Sequence, residues 1–312
     1  MFERILVPLD GSSRAELILS QVARILRRED SEILLLRAVH VPAQIGRVNM
    51  APVWAAQIEE AQKYIHDLTR RFQERGARVN GRVVEGYPPD AILETARSEG
   101  STLIALCTHG HTGFARWAMG SVAEKVARAA EVPLLLLRSF RRTSKGDLEP
   151  AVAEELPFRR ILVPLDGSTT SMSVLGPAQK FAQLFGSSIL LLHVETPYVP
   201  SSPVLPGMEI ALPQMAPPQT PSAEDEITAK AAERLTQAGL EVSRLTTVGE
   251  PASEILDLSV NRGMDLIALG THGRTGLERW ALGSVAERVL RSTEVPLLLV
   301  RTRGENPGGG RK

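Results

Sequence analysis

Short apolar runs alternate with longer amphipathic segments along most of the chain. Clear examples of the runs lie at residues 5–9, 33–39, 103–106 and 133–137. They are rich in Ile, Val and Leu and have the length of parallel strands that are buried on both faces. Between them, apolar residues recur every three or four positions, as they do from Trp54 to Phe72, so these segments are predicted to form helices that pack on a sheet.

The order of these elements predicts the fold class. The predicted strands span residues 3–9, 32–39, 78–84, 102–107 and 133–138, and the predicted helices span residues 13–28, 54–75, 88–98 and 121–130. Because consecutive parallel strands are joined by right-handed crossovers, the helices must cover both faces of an open sheet. We therefore predict an α/β fold with a doubly wound, five-stranded parallel sheet.

The whole pattern occurs twice. The segment RILVPLDGS at residues 4–12 returns unchanged at residues 160–168, an offset of 156. The 36-residue segments that begin at Leu103 and Leu266 agree at 26 positions, with an offset of 163. Self-similarity at this level indicates two tandem copies of one domain, which also suits a chain of 312 residues.

The change of offset locates an insertion in the second copy. The Pro-rich segment 196–222 is its expected place, either as a surface loop or as a lid or docking segment. We predict a first domain at residues 1–139 and a second at 158–302. A polar linker at 140–157 joins them, and a disordered tail follows at 303–312.

Composition and charge exclude several classes of function. The 36 Lys and Arg residues balance 36 Asp and Glu residues, so no excess of cations is available to neutralise a nucleic acid backbone. No apolar run reaches the length of a membrane span, and the charged start of the chain does not resemble a signal peptide. A single cysteine, Cys107, cannot form an internal disulfide. We expect a cytoplasmic protein that contacts neither nucleic acid nor membrane.

Candidate chemistry lies where the predicted strands end. Asp10 and Asp166 follow the first strand of each copy, and Gly-Ser pairs at 120–121 and 283–284 open the last helix. Ligands of open α/β sheets bind beyond the carboxyl ends of the strands, and a helix N-terminus favours an anion. No GxxxxGK[ST] motif is present, and no GxGxxG follows the first strand, which argues against kinase and dehydrogenase functions.

The spacing of the glycines resembles a known family. Gly270, Gly273, Gly283 and Ser284 match the G-x2-G-x9-G-[ST] signature of ATP-binding universal stress proteins, and VPLDGS and the closing VPLLL strands are also similar to that family. The resemblance implies an adenine nucleotide alpha hydrolase-like fold and ATP, alone or with Mg, as ligand. It implies that the glycines and the serine hold phosphates, and that Asp166 and the backbone of Val194 contact adenosine.

In the first copy, the resemblance implies five equivalent residues. These are Asp10, Ala38, Gly110, Gly120 and Ser121. Cys107 departs from the signature because it occupies the place of the first glycine, Gly270. We therefore hypothesise that the second copy is the stronger nucleotide site.

Simpler structural roles are also open for these residues. The two aspartates could cap the turn into the first helix, and the glycines could only form turns. His109 and His272 lack companions for a metal site, so we expect no metal and no catalytic residue among them. Cys107 is expected to be a small buried residue rather than a redox sensor.

The resemblance also implies how the copies are arranged. Universal stress proteins dimerise through their last strand, so the fusion is expected to pack as an internal pseudo-twofold dimer. Association of two chains as a homodimer and binding of protein partners are left open. The function that fits best is nucleotide-responsive stress regulation through ATP binding. A slow ATPase and a nucleotide-free scaffold are the alternatives.

Overall fold

The computed structural model describes residues 2–27, 30–40, 44–45, 48–49, 51–108, 119–142, 148–150, 157–196, 223–271 and 282–301. The elements of the first half, in chain order, are β1 (Arg4–Pro8), α1 (Leu17–Leu26), β2 (Glu32–Val39), β3 (Gln44–Ile45), β4 (Val48–Asn49), α2 (Ala51–Gln73), β5 (Val79–Glu85), α3 (Pro88–Ser98), β6 (Leu103–Cys107), α4 (Ser121–Ala129) and β7 (Leu134–Leu137). Two short strands follow, β8 (Phe140–Arg142) and β9 (Leu148–Pro150). The second half contains β10 (Arg160–Pro164), α5 (Thr169–Ser173), α6 (Leu175–Phe185), β11 (Ser188–Glu195), α7 (Ala223–Gln237), β12 (Val242–Val248), α8 (Pro251–Asn261), β13 (Leu266–Gly270), α9 (Ser284–Ser292) and β14 (Leu297–Val300).

Both halves contribute to one ten-stranded sheet, in the order β5-β2-β1-β6-β7-β14-β13-β10-β11-β12. Within each half the strands run parallel, and β7 and β14 pair antiparallel at the junction. The first strand of each half lies between its second and fourth long strands, so the strand order reverses beside β1 and beside β10. This arrangement confirms the predicted tandem α/β fold with doubly wound parallel sheets.

The junction of the two sheets has pseudo-twofold symmetry. Leu135 lies opposite Leu298, its own counterpart in the repeat, and Leu136 lies opposite Leu297 while Leu134 lies opposite Leu299. The symmetry axis therefore passes through the Leu135 and Leu298 pair. The predicted internal dimer is confirmed, and the pairing removes two sheet edges that would otherwise be exposed.

Alternating side chains of the strands supply two hydrophobic layers, one on each face of the sheet. On one face, Ile5 and Val7 pack with α1 and α6, and this layer continues across both halves. On the other face, Leu6 and Ile104 pack with helices α3, α4, α8 and α9. The Phe158 and Phe181 rings meet edge to face at 5.1 Å within the first layer. The two halves therefore share continuous cores.

Several element boundaries differ from those predicted. Helix α1 begins at Leu17 instead of residue 13, because the hydroxyl of Ser12 accepts a hydrogen bond from the Ala15 amide and holds a turn there. Helix α2 begins at Ala51, three residues earlier than predicted. The antiparallel pairs β3–β4 and β8–β9 were not predicted, since strands of two or three residues are too short to show a period. The β8–β9 pair lies in the segment predicted as a linker.

Candidate functional site

Each first strand ends in the same hydrogen-bonded turn. In the first half, Asp10 Oδ1 accepts hydrogen bonds from the Ser12 amide at 2.9 Å and from the Ser12 hydroxyl at 2.6 Å. In the second half, Asp166 Oδ1 accepts the same two bonds from Ser168, at 2.9 and 2.6 Å. The glycine between them has a positive φ, 82° at Gly11 and 79° at Gly167, which only glycine adopts readily. Both aspartates therefore fix the turn that leads into the first helix, as one of the two interpretations of the sequence expected.

A cavity of about 140 Å³ opens at this turn in the first half. It lies beyond the carboxyl ends of β1, β2 and β6 and beside the N-termini of α3 and α4. We call it the first-half cavity. Four residues predicted as ligand contacts line it together with Cys107, namely Asp10, Ala38, Gly120 and Ser121. The fold thus brings together residues that are up to 111 positions apart in the chain.

The two helices that open with a Gly-Ser pair have no side-chain cap from the part of the chain that the structure describes. Gly120 precedes α4 and Gly283 precedes α9, and neither helix has a side-chain hydrogen bond at its N-cap. The amides of these glycines donate to the carbonyls of Thr108 and Thr271, both at 2.8 Å, which ties each helix start to the preceding strand. The first amides of a helix lack intrahelical acceptors, so these helix starts offer N–H groups to an anion.

The backbone conformation of these glycines does not explain the choice of residue. The φ values are −59° at Gly120 and −61° at Gly283, which any residue adopts. What glycine alone provides there is a backbone without a side chain. That is the feature a closely approaching ligand requires.

In the second half, the predicted residues occupy the equivalent places. Asp166 follows β10, Val194 lies near the end of the neighbouring strand β11, and Gly270 ends β13 on the other side. Gly283 and Ser284 open α9. Four further residues singled out in the sequence lie outside the described residues, namely Gly110, Gly273, His109 and His272.

Cys107 is buried at the end of β6 and lines the first-half cavity. Its Sγ lies 3.7 Å from the carbonyl oxygen of Ala15. Burial raises the pKa of the thiol to about 12, and the nearby carboxylate of Asp10 acts in the same direction. A protonated, buried thiol is a poor nucleophile, so the expectation of a small buried residue agrees with the structure.

Arg37 also lines the first-half cavity, and the sequence did not single it out. Its Nη1 lies 3.5 Å from the carbonyl oxygen of Leu9. Nearby, the Tyr64 hydroxyl donates to the Glu16 carboxylate at 3.0 Å. Burial, Glu16 and the more distant Asp10 raise the pKa of Tyr64 well above its ordinary value, whereas Arg37 opposes the shift. An alignment of the two copies at an offset of 156 places Arg37 opposite His193. This difference in residue type was the signal that could have drawn attention to Arg37.

A second, larger cavity of about 400 Å³ lies at the opposite end of the first-half strands, at their amino ends. Its charged groups contact one another. The Asn80 amide donates to Glu32 at 2.6 Å, and Glu99 pairs with Arg82 and receives Arg4 Nη1 on its backbone carbonyl. Open α/β sheets bind ligands at the carboxyl ends of their strands, and this cavity lies at the amino ends. The smaller cavity is therefore the candidate site.

Metal binding and membrane insertion receive no support from the described part of the chain. Its His, Cys, Asp and Glu side chains form no group of three or more that could hold a metal ion. None of the helices in the described ranges combines the length and the apolar character that crossing a bilayer requires.

The duplicated architecture with its uncapped helix starts agrees with a family comparison. The sequence model described as "Universal stress protein family" matches residues 1–138 and again residues 157–301. The chain belongs to the universal stress protein family. A universal stress protein of Mycolicibacterium smegmatis is 25% identical over 315 residues, which cover 96% of this chain and 97% of that protein.

Other universal stress proteins match one copy or the fold. Universal stress protein MJ0531 of Methanocaldococcus jannaschii is 30% identical over 146 residues, 46% of this chain and 82% of that protein. The crystal structure of a universal stress protein from Archaeoglobus fulgidus superposes with a TM-score of 0.70 at 18% identity, and it covers 96% of this chain and 99% of that one. This universal stress protein thus shares its fold with that structure over nearly its full length.

Proposed function

We propose that this universal stress protein binds an adenine nucleotide, ATP in the first instance, beyond the carboxyl ends of the strands in each half. The observation that carries the proposal is the first-half cavity, which gathers Asp10, Ala38, Gly120 and Ser121 around one space. A carboxylate, an accessible strand backbone and an uncapped helix start are complementary to a ribose, an adenine and a phosphate chain, respectively.

The phosphates would lie at the helix starts. There no side chain of the described residues caps the amides that follow Gly120 and Gly283, and the positive end of the helix dipole adds to their attraction for an anion. Asp10 and Asp166 already use Oδ1 to hold the turn, so the turn fixes each carboxylate in place before a ligand arrives. Ala38 and Val194 would contribute backbone groups to the nucleoside.

We infer that the second half is the stronger site. Gly270 ends β13 without a side chain, whereas Cys107, at the equivalent place of β6, is buried and lines the first-half cavity. The second half also carries the full glycine signature in its sequence. The domains would then be two nucleotide-binding units at residues 1–139 and 158–302.

Binding without rapid turnover is the mode that the lining of the cavity supports. Asp10 is the one carboxylate among the described residues that line it, and its Oδ1 is held by Ser12. Hydrolysis requires a positioned water and a group that stabilises charge on the transferred phosphate, and a carboxylate committed to a turn is poorly suited to activate water. We therefore infer a regulator that responds to nucleotide rather than a metabolic enzyme, and we propose a cytoplasmic location for it.

A release experiment tests this proposal. The full-length protein is purified rapidly, denatured, and its released small molecules are separated by chromatography. We expect an adenine nucleotide in an amount comparable to that of the protein, and a matched preparation of the Ser121→Asp/Ser284→Asp variant should release much less. Release of no adenine compound, even after incubation of the protein with ATP and gel filtration, would count against the proposal and favour a nucleotide-free scaffold.

A further inference from the structure

The charged residue Arg37, beside the candidate site, has no charged equivalent of the same kind in the second half. Arg37 lies on β2 directly before Ala38, and it lines the first-half cavity together with Asp10. At the equivalent position on β11 the second half has His193, directly before Val194. The guanidinium of Arg37, which is permanently charged and has five N–H donors, thus corresponds to the imidazole of His193 in the second half.

The two side chains use the same backbone acceptor in different ways. His193 is buried, and its Nδ1 lies 2.9 Å from the carbonyl oxygen of Leu165. Arg37 approaches the equivalent carbonyl oxygen, that of Leu9, only at 3.5 Å. Among the described residues this is the one hydrogen bond of the guanidinium, which has five N–H donors in all.

The order of the strands places Arg37 at the nucleoside end of the site. Across the first-half sheet, β2 with Arg37 lies next to β1 with Asp10, and β6 with the following helix α4 lies on the far side of β1. In a nucleotide whose 5′-phosphates lay at Ser121, the ribose would lie near Asp10, and its 2′- and 3′-hydroxyls would be directed toward Arg37. Neighbouring strands are about 4.8 Å apart, so the two ends of this row are separated by roughly the length of a nucleoside monophosphate.

An arginine at the ribose end of a nucleotide site has a known chemical consequence. In dinucleotide-binding sheets either an acidic residue accepts a ribose hydroxyl or a nearby arginine accommodates a phosphate on the ribose. The planar guanidinium binds such a phosphate through two parallel N–H···O bonds. In the second half, the same place holds an imidazole whose Nδ1 is already engaged with the strand backbone.

We propose that Arg37 is a specificity-determining residue, and that the first half selects an adenine nucleotide with a second phosphate on its ribose. The second half takes the nucleotide with an unsubstituted ribose. This inference rests on the proposed nucleotide site and defines which ligand each half prefers. The duplicated chain then has two nucleotide sites of different specificity instead of two sites of the same specificity.

The test measures the nucleotide affinity of each half separately in the full-length chain. Ser284→Asp places a carboxylate at the start of α9, where it repels a phosphate. An acidic side chain at a helix N-terminus is compatible with the helix dipole, so the helix should be retained. Binding measured in this variant is therefore binding by the first half. Ser121→Asp reports on the second half in the same way. Calorimetric titrations with AMP, adenosine 2′,5′-bisphosphate and adenosine 3′,5′-bisphosphate, without divalent cations, give the affinity ratio of bisphosphate to monophosphate.

In the Ser284→Asp chain we expect at least one bisphosphate to bind about tenfold more tightly than AMP, as one charge-assisted contact predicts. Adding Arg37→His should bring this ratio close to one with AMP affinity retained, and Arg37→Lys should restore part of it. Conversely, His193→Arg in the Ser121→Asp chain should raise the ratio. Arg82→His, at the opposite edge of the sheet, serves as the matched control and should change neither ratio.

The outcomes separate this inference from the proposed function. Failure of the wild-type chain to bind any of these nucleotides or ATP overturns both. Two results would overturn only the assignment to Arg37, provided that the wild-type chain binds AMP or ATP. In the first, the Ser284→Asp chain binds both bisphosphates no more tightly than AMP. In the second, it binds none of the three probes. An unchanged ratio in the Arg37→His variant also overturns it.

Discussion

The guanidinium of Arg128 in the first half lies 3.0 Å from the carboxylate of Glu287 in the second half. Its counterpart in the repeat, Arg291, lies 3.1 Å from Glu124, so the contact is made twice across the pseudo-twofold axis. Each arginine also contacts the glutamate one turn earlier on its own helix, at 3.0 and 2.9 Å. Helices α4 and α9, which begin at the two candidate phosphate sites, are thus joined by a closed set of four ion pairs.

This set of ion pairs should contribute modestly to stability. Its side chains are about one third to one half exposed, so each pair contributes roughly 0.2 to 1 kcal/mol. We expect Arg128→Gln to lower the free energy of unfolding by about 1 kcal/mol, because it removes two contacts. The measurement is urea denaturation at low and high salt. A coupling energy near zero in the Arg128→Gln/Glu287→Gln double-mutant cycle at low salt would show that the contact across the axis contributes nothing.

The junction of β7 and β14 should respond symmetrically to mutation. Leu135 and Leu298 are opposite each other and almost fully buried. Leu135→Ala and Leu298→Ala are each expected to cost about 3 kcal/mol, the usual range for a buried leucine, and the two values should agree within about 1 kcal/mol. Denaturation of the full chain measures both. Val260→Ala, at a position where the residue is 66% exposed, is the control and should cost less than about 0.5 kcal/mol.

Cys107 should make the stability depend on alkaline pH. Its pKa is raised to about 12 in the folded protein, so the unfolded chain loses the thiol proton first as the pH rises. The stabilisation from the protonated thiol is complete below the unfolded pKa, about 8.5, and is lost as the pH rises from there toward 12. The difference in unfolding free energy between wild type and Cys107→Ala should therefore shrink between pH 8 and 10.

The same burial predicts slow chemical modification. A thiol reagent at pH 8 should modify Cys107 far more slowly in the native protein than in urea, because little thiolate forms and the side chain is enclosed. Comparable rates in the two states would contradict the buried position.

Removing the Cys107 side chain should improve the first-half site. In the Ser284→Asp chain, Cys107→Gly reproduces the residue found at Gly270 and widens the first-half cavity. We expect ATP affinity to rise by roughly tenfold, the lower end of the effect that one methylene group has in a pocket. Gly270→Cys in the Ser121→Asp chain is the reciprocal variant and should weaken binding. If both substitutions left the affinity unchanged, the difference between the two halves would not lie at this position.

Much of the fold could be predicted because its signals are local or repeated. The apolar runs that became β1, β2 and β6 are short and rich in Leu, Ile and Val, and the repeat of RILVPLDGS showed the duplication directly. The pairing of β7 with β14 could be anticipated only through the family resemblance. A single sequence contains no signal for which strand of one half meets which strand of the other.

The site residues could be predicted where their positions follow from the order of strands and helices. Asp10 and Ser121 follow from the rule that ligands bind beyond the carboxyl ends of strands, and the structure places both on one cavity. Arg37 was missed because a charged residue near the end of a strand has no distinctive spacing. The Asp10 turn with Ser12 explains why helix α1 starts late, and hydrogen bonds of that kind depend on side-chain geometry that periodicity does not report.

Calorimetric titration of the full-length chain with ATP tests the central claim most directly. Wild type should give a saturable heat of binding, Ser121→Asp should retain the stronger site, and Ser121→Asp/Ser284→Asp should give none while its circular dichroism and melting temperature match wild type. Absence of heat with ATP, ADP and AMP in the wild-type chain, or an unchanged titration in the double variant, would contradict the claim that these two helix starts bind the phosphates of an adenine nucleotide.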